Sequence, residues 1–183
     1  LEKEISFTFI SGDGRKGYSG AVKDALKLGK NELIFFSDSD GQQDPKDYWK
    51  IREYIDEYDV IIGYKHPRVD PFFRVFISKI FQQVIKFIFG IKFRDINCGF
   101  RLIKKKVVDD IIDDMGTTDF FSTEFIIRAN NKGYKIKEIP VNHFKREGES
   151  RGLPTKELPK SIFKLVCNLL SLKKELKVKH KSE

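Results

Sequence analysis

The chain has 183 residues, 40% of them apolar, which suits one domain with a proper core. Its two cysteines, Cys98 and Cys167, exclude a disulfide framework or a zinc cluster, and no apolar run reaches the roughly 20 residues that span a bilayer. The net charge of +8, much of it in the stretch 173–181, suits an anionic partner without choosing among nucleic acid, acidic lipid and phosphorylated substrate.

Ile5 to Ile10 alternates like a strand so close to Leu1 that further residues are expected upstream. The glycine-rich, basic stretch Ser11–Gly17 then opens onto a predicted helix from Tyr18 to Lys30, with Ala21, Val22, Ala25 and Leu26 at helical spacing. A helix N-terminus after such a loop can receive an anion, although the Gly-Lys-Ser/Thr ending of a P-loop is absent. A strand over 32–37 follows, then an acidic loop, a helix over about 46–57 and a strand over 59–63. Strands and helices alternating in this way predict a mixed, mainly parallel sheet flanked by helices, an α/β fold.

The acidic loop reads Ser37-Asp38-Ser39-Asp40-Gly41-Gln42-Gln43-Asp44-Pro45. Asp38 and Asp40 fall where a strand ends, the edge at which open α/β sheets bind ligands. Oxygen donors on a short loop suit Mg2+ or Mn2+, which take one or two carboxylates and complete their shell with water and phosphate. The other reading makes Asp38, Asp40 and Asp44 turn and cap residues, with Asp44 capping the next helix and Pro45 at its first position.

Two segments break the α/β rhythm. From Phe72 to Phe89, Phe73, Phe76, Ile77, Ile80, Phe81, Val84 and Ile88 recur at spacings of three and four, opposite Arg74, Ser78, Gln82 and Lys86. Near the end, Ile162, Leu165, Val166, Leu169 and Leu170 face away from Lys160, Lys164, Asn168 and Ser171. Basic amphipathic helices rich in Phe and Leu lie in membrane interfaces, and they also pack on cores; the pattern leaves both open. Between them are a strand over 99–103, helices from about Lys104 to Asp113 and from Glu124 to Asn131, and strands at Tyr134–Glu138 and Val141–Phe144. His66 and His143 have no ligand-like spacing. No helix-turn-helix, zinc or aromatic-sheet signature supports nucleic-acid binding.

Taken in order, these pieces resemble family 2 glycosyltransferases of the GT-A fold, nearest to polyprenyl-phosphate sugar transferases of the dolichyl-phosphate mannosyltransferase type. Gly14-Arg15-Lys16-Gly17-Tyr18-Ser19-Gly20-Ala21 resembles the family's glycine-rich helix entry, and the acidic loop its Asp-x-Asp-x-Gln-x-x-Pro metal loop. Gly63-Tyr64-Lys65 with Arg68, Asp70, Arg74 and Ser78 resembles the segment that leads into the interfacial helix. Arg94-Asp95-Ile96-Asn97-Cys98-Gly99-Phe100-Arg101 resembles the Asp-x-x-x-Gly-Phe-Arg signature. Glu124, the run Gly133 to Val141, and Arg146 with Gly148, Ser150 and Arg151 resemble the closing part. Lys65 departs from the usual arginine, which weakens bidentate phosphate binding there. The resemblance also implies that an upstream strand-helix-strand portion, holding much of the nucleotide site, is missing.

The resemblance implies a partial GT-A domain over residues 1–151 and a C-terminal amphipathic helix with a basic tail over 152–183. It implies a peripheral enzyme on the cytoplasmic face of a membrane, with a nucleotide-diphosphate sugar as donor, a polyprenyl phosphate as acceptor, no nucleic-acid partner, and room for a transmembrane partner subunit. Asp38, Asp40 and Gln42 would hold Mg2+ or Mn2+, and Asp40 and Asp95 would be catalytic. Lys65, Arg68, Arg74, Ser78, Glu124, Arg146, Ser150 and Arg151 would contact substrate. A lipid phosphate, largely ionised because its second pKa is about 6, needs positioning more than a base. A sugar hydroxyl would need a base, and Asp95 would be the carboxylate for it. Transfer would proceed with inversion in one in-line displacement.

Overall fold

A computed structural model describes residues 14, 17–116, 118, 120–145 and 158–182, with side chains over 162–178 in the last helix. The strand expected over 5–10 lies outside the described residues, as do Arg146, Ser150 and Arg151. In chain order the elements are α1 (Gly17–Leu28), β1 (Leu33–Phe36), α2 (Asp47–Arg52), β2 (Val60–Lys65), α3 (Phe72–Phe89), β3 (Arg101–Lys104), α4 (Lys105–Ile111), α5 (Phe121–Asn131), β4 (Ile136–Val141) and α6 (Leu158–Ser182). A 3-10 turn, Ile112–Asp114, extends α4.

The aromatic helix falls where the spacing predicts it. It stops at Gly90, whose φ of 75° is the left-handed conformation that glycine adopts without a Cβ clash, and whose N–H closes on Lys86 O at 2.8 Å. α2 is shorter than expected: after Arg52 the chain winds on by i→i−3 bonds such as Glu57 to Tyr54, so only its first turns are α-helical.

The sheet order is β1-β3-β2-β4. β1, β2 and β4 run one way, as a mainly parallel sheet requires, but β3 is reversed and sits between β1 and β2. The sheet is thus mixed, as expected: β3 is antiparallel to both neighbours, and β2 and β4 form a parallel pair. The reason is the excursion through α3, which leaves β2 and re-enters the sheet at the same edge.

The two strands expected at 134–138 and 141–144 are one strand, β4, despite Pro140. Val60 N–H bonds to Lys135 O and His66 N–H to Val141 O, so odd-numbered carbonyls face β2. Pro140 then turns its missing N–H toward the open edge of the described sheet, where no ladder bond is lost.

β2 supplies the centre of the core with Val60, Ile61 and Ile62, packed with Phe100, Leu102, Val107, Ile111, Phe125 and Ile126. Each such side chain contributes roughly 1.5–3 kcal/mol by leaving water. α6 joins the same core through Leu169, Leu172 and Leu176, while α3 buries Ile85 and Ile88. Both amphipathic helices thus pack inward, and each also keeps apolar side chains exposed. Phe72 is 84% exposed and Phe87 91%, with Phe73, Phe76 and Ile80 also exposed along α3, and Ile162, Phe163, Leu170 and Val178 along α6.

Candidate active site

The carboxyl ends of β1, β2 and β4 and the amino end of β3 share one sheet edge, because β3 alone is reversed. Four segments meet there: the acidic loop after β1, residues 66–71 after β2, residues 94–100 before β3 and residues 142–144 after β4.

Hydrogen bonds stitch the acidic loop to the end of β4. Gln43 and His143 form an isolated bridge, Phe144 N–H donates to Gln42 O at 2.8 Å, and Gln42 Nε2 donates to Phe144 O at 3.2 Å. Buried Asp47, at the start of α2, accepts both the backbone N–H and the side-chain amide of Asn142. The three loop aspartates differ in use. Asp44 Oδ1 accepts Lys46 N–H at 2.9 Å and its carbonyl accepts Asp47 N–H, a turn role; α2 starts at Asp47 with Lys46 at its N-cap, so the expected cap at Asp44 and first helical position at Pro45 are corrected. Asp40 Oδ1 accepts Gln42 N–H at 3.2 Å, which shapes the loop. Asp38 lies flat over Gly99: a Cβ at Gly99 would fall within 2.7 Å of all three atoms of the Asp38 carboxylate group. Glycine at 99 is therefore a condition for Asp38 to occupy this corner.

The segment 94–100 is held from beneath by Arg101. Its buried guanidinium donates to Cys98 O and Ile96 O at 2.7 Å each and to Ser122 O at 3.2 Å. Thr123 Oγ1 donates to Asn97 Oδ1 at 2.6 Å. Cys98 is packed away, its thiol pushed up to about 11 by burial and by Asp95. Tyr18, at the start of α1, faces the same corner. Burial and the negative charge of Asp38 push its hydroxyl up, against a hydrogen bond with Ser122 and the charge of Arg101.

Asp95 is only 6% exposed, and its Oδ2 is, among the described residues, the one buried side-chain polar atom without a hydrogen-bond partner. Native proteins rarely leave such an atom unpaired unless a ligand or water completes it.

Opposite the acidic corner is a basic one. Arg68 Nε bonds Asp70 Oδ2 at 2.8 Å and its Nη1 donates to Ser78 Oγ on α3 at 3.1 Å, while Lys65 stands 3.9 Å from Asp70. Burial alone would raise the Asp70 carboxyl; the Arg68 hydrogen bond and the charges of Lys65 and Arg68 outweigh it and hold the group below its usual range. Arg74 lies one turn before Ser78 on α3 and is exposed.

Glu124, which can equally pair with an arginine or touch substrate on the sequence alone, is fully buried, bonds Arg128 Nε at 2.9 Å, and accepts N–H from Gly116 and Thr118. Burial is the physical reason: a carboxylate removed from water requires a cationic partner, and Arg128 one turn later supplies it.

Two residues at the site escape sequence reasoning. His143 is buried, its Nδ1 accepts Val69 N–H at 3.3 Å, and its Nε2 is 3.3 Å from the Gln42 amide. Burial and the charge of Lys65 lower its pKa, so the ring is neutral at pH 7. Glu138, on β4, accepts the backbone N–H groups of Arg94 and Asp95. For His143 the available signal was position, since a polar residue just past the carboxyl end of a strand stands at the ligand edge; Glu138 lies within β4 and carries no such mark.

For a metal, no three His, Cys, Asp or Glu side chains among the described residues converge into a cage. Asp38, Asp40 and Gln42 share the loop after β1, and oxygen donors of this kind suit Mg2+ or Mn2+ only with water and phosphate completing the shell.

The comparisons agree with this fold. The chain is 28% identical over 137 residues to an undecaprenyl-phosphate 4-deoxy-4-formamido-L-arabinose transferase of Klebsiella pneumoniae, covering 74% of this chain and 41% of the relative. It is 25% identical over 150 residues to a polyprenol monophosphomannose synthase of Mycolicibacterium smegmatis, covering 76% of this chain and 56% of the relative. The chain thus spans about half the length of these relatives. The crystal structure of glucosyl-3-phosphoglycerate synthase from Mycobacterium tuberculosis, in complex with Mn2+, UDP and phosphoglyceric acid, superposes with a TM-score of 0.66 at 12% identity, covering 87% of this chain and 55% of that one. That likeness establishes the mixed α/β GT-A fold. The model of the family described as "Glycosyl transferase family 2" matches residues 1–112, more than half of the chain, and the chain belongs to that family.

Proposed function

We propose that this chain is a metal-dependent glycosyltransferase domain that serves to move a sugar from a nucleotide-diphosphate donor to a polyprenyl phosphate, with inversion, at the cytoplasmic face of a membrane. The observation that carries the reading is the Arg68–Ser78 pair at the foot of α3, whose outer stripe of Phe72, Phe73, Phe76, Ile80 and Phe87 is open. A phosphate on an isoprenoid chain has the same two parts, an anionic head and an apolar tail. The relatives named above act, by their names, on undecaprenyl phosphate and polyprenol.

In this reading Asp38, Asp40 and Gln42 hold the divalent ion, which supplies charge neutralisation for the departing diphosphate. Arg68, Ser78, Lys65 and Arg74 orient the acceptor phosphate. Arg146, Ser150 and Arg151, outside the described residues, would contact the substrate as the family resemblance implies. Asp95 directs its unpartnered Oδ2 at the acceptor oxygen. No described helix is long and apolar enough to cross a membrane, so α3 and α6 rest in the interface, alone or beside a transmembrane subunit.

Flotation with phosphatidylglycerol vesicles tests the membrane part. Wild-type protein floats, and the triple variant Phe72→Ser, Phe76→Ser, Phe87→Ser partitions at least about tenfold less, since each buried ring is worth roughly 1.5–3 kcal/mol. Equal flotation of the two proteins refutes an interfacial α3.

A second reading, a glycan hydroxyl as acceptor, is favoured by one observation, the unpaired buried oxygen of Asp95, which is what a general base requires. Asp95→Asn separates the two. With undecaprenyl phosphate, already ionised, the rate falls less than about tenfold; a hydroxyl acceptor needing the base would lose about 10²–10⁴.

A further inference from the structure

Asp95 occupies a place its chemistry disfavours. One carboxylate oxygen is buried without a partner, and a second carboxylate, Glu138, stands beside it. A free loop would turn Asp95 out to water. The backbone on which it sits is nevertheless fixed from both sides. Glu138 accepts Arg94 N–H with both oxygens, at 2.8 and 2.9 Å, and Asp95 N–H with Oε1 at 3.0 Å. The Arg94 guanidinium lies 4.7 Å over the Tyr64 ring and donates to its hydroxyl at 2.7 Å. Tyr64 and Glu138 belong to β2 and β4, whose parallel register sets Ile62 opposite Glu138 and Tyr64 opposite Pro140. The loop is thus pinned to one rigid strand pair.

We propose that Glu138 is a positioning residue of the site: its carboxylate clamps the backbone of Arg94 and Asp95 and so aims Asp95 Oδ2 at the acceptor. The proposal rests on the reading of Asp95 as the group that meets the acceptor. The ionisable groups facing Glu138 are Asp95 and Arg94. Burial, helped by Asp95, raises the Glu138 carboxyl above its usual range, and the two N–H bonds only partly offset this. Glutamine preserves the clamp, since one amide oxygen can accept both N–H groups; alanine removes it.

The test uses the full-length protein and two independent readouts. In wild-type NMR spectra the Arg94 and Asp95 amide protons follow one pH titration with a midpoint above the ordinary glutamate value. In Glu138→Gln that step vanishes while both amides stay protected, and in Glu138→Ala both exchange at least about tenfold faster. Transfer kcat to undecaprenyl phosphate falls about fivefold in Glu138→Ala, inside the tenfold ceiling set by Asp95→Asn, at a donor KM within about twofold of wild type, and Glu138→Gln recovers most of it. Glu138→Asp, with its carboxylate drawn back by one methylene, behaves like Glu138→Ala and serves if alanine prevents folding. Unchanged amide protection in the Ala or Asp variant overturns the proposal, and so does lost protection with kcat within about twofold of wild type. A wild-type enzyme inactive on every acceptor, with the amides titrating as described, faults the transfer reading and supports the clamp.

Discussion

Asp38→Ala is expected to lower sugar transfer at least about a thousandfold and to abolish Mn2+-dependent binding of the proposed nucleotide-diphosphate donor. The charge that grows on a departing diphosphate must be neutralised, and a bound cation supplies several kcal/mol for this. At 1.36 kcal/mol per decade, about 4 kcal/mol is the thousandfold. Asp38 is placed for the task by packing: it lies on the bare Cα of Gly99, in a loop closed by Ser37 Oγ and Gln43 Oε1 at 3.0 Å. Gly99→Ala should therefore reproduce most of the loss without removing a ligand, because the new methyl would displace the carboxylate. Asp44→Ala is the control. That residue caps a turn, so it should cost about 1 kcal/mol of stability and leave transfer intact. Calorimetric titration of Mn2+ and of nucleoside diphosphates into the three variants decides the matter. If Asp38→Ala binds both as tightly as wild type, the loop aspartates are turn residues and the metal belongs elsewhere.

Legibility in the sequence followed the reach of each signal. α3 was readable to the residue because its period repeats over five turns and a glycine ends it. The reversed β3 was not, since alternation of apolar residues carries no strand direction; direction came from the excursion through α3 returning to the edge it left. The break expected at Pro140 failed for a related reason, because whether a missing N–H matters depends on which way the strand faces. At the site, Asp38 and Asp95 stood in motifs, but His143 and Glu138 gain meaning only once β2 and β4 are in register. Arg101, quoted for its motif, proves to be the brace beneath the Asp95 segment. Glu124 shared the mark of its neighbours and not their place. The clue that was present, Arg128 four residues on, says pairing rather than substrate.

That pairing carries the largest expected stability effect. Glu124 and Arg128 are 0% and 3% exposed, joined at 2.8 and 2.9 Å, and Arg128 reaches on to Glu175 of α6 at 2.9 and 3.1 Å. Arg128→Ala would leave a buried carboxylate without its cation, a loss of about 3–5 kcal/mol. For a protein of this size that corresponds to a fall in Tm of roughly 6–20 °C. Glu175→Ala should cost only about 1 kcal/mol, because Glu175 is partly exposed and Arg128 keeps Glu124. The double variant Glu124→Gln, Arg128→Met should recover much of the single loss, since an uncharged pair needs no compensation in the core. Transfer below the melting transition should follow the folded fraction alone, as Glu124 is spent on Arg128 and on the N–H groups of Gly116 and Thr118. Thermal melts monitored by circular dichroism measure all three variants. A loss below about 1 kcal/mol in Arg128→Ala would mean that water reaches Glu124. That outcome would return Glu124 to the list of groups able to turn toward a substrate.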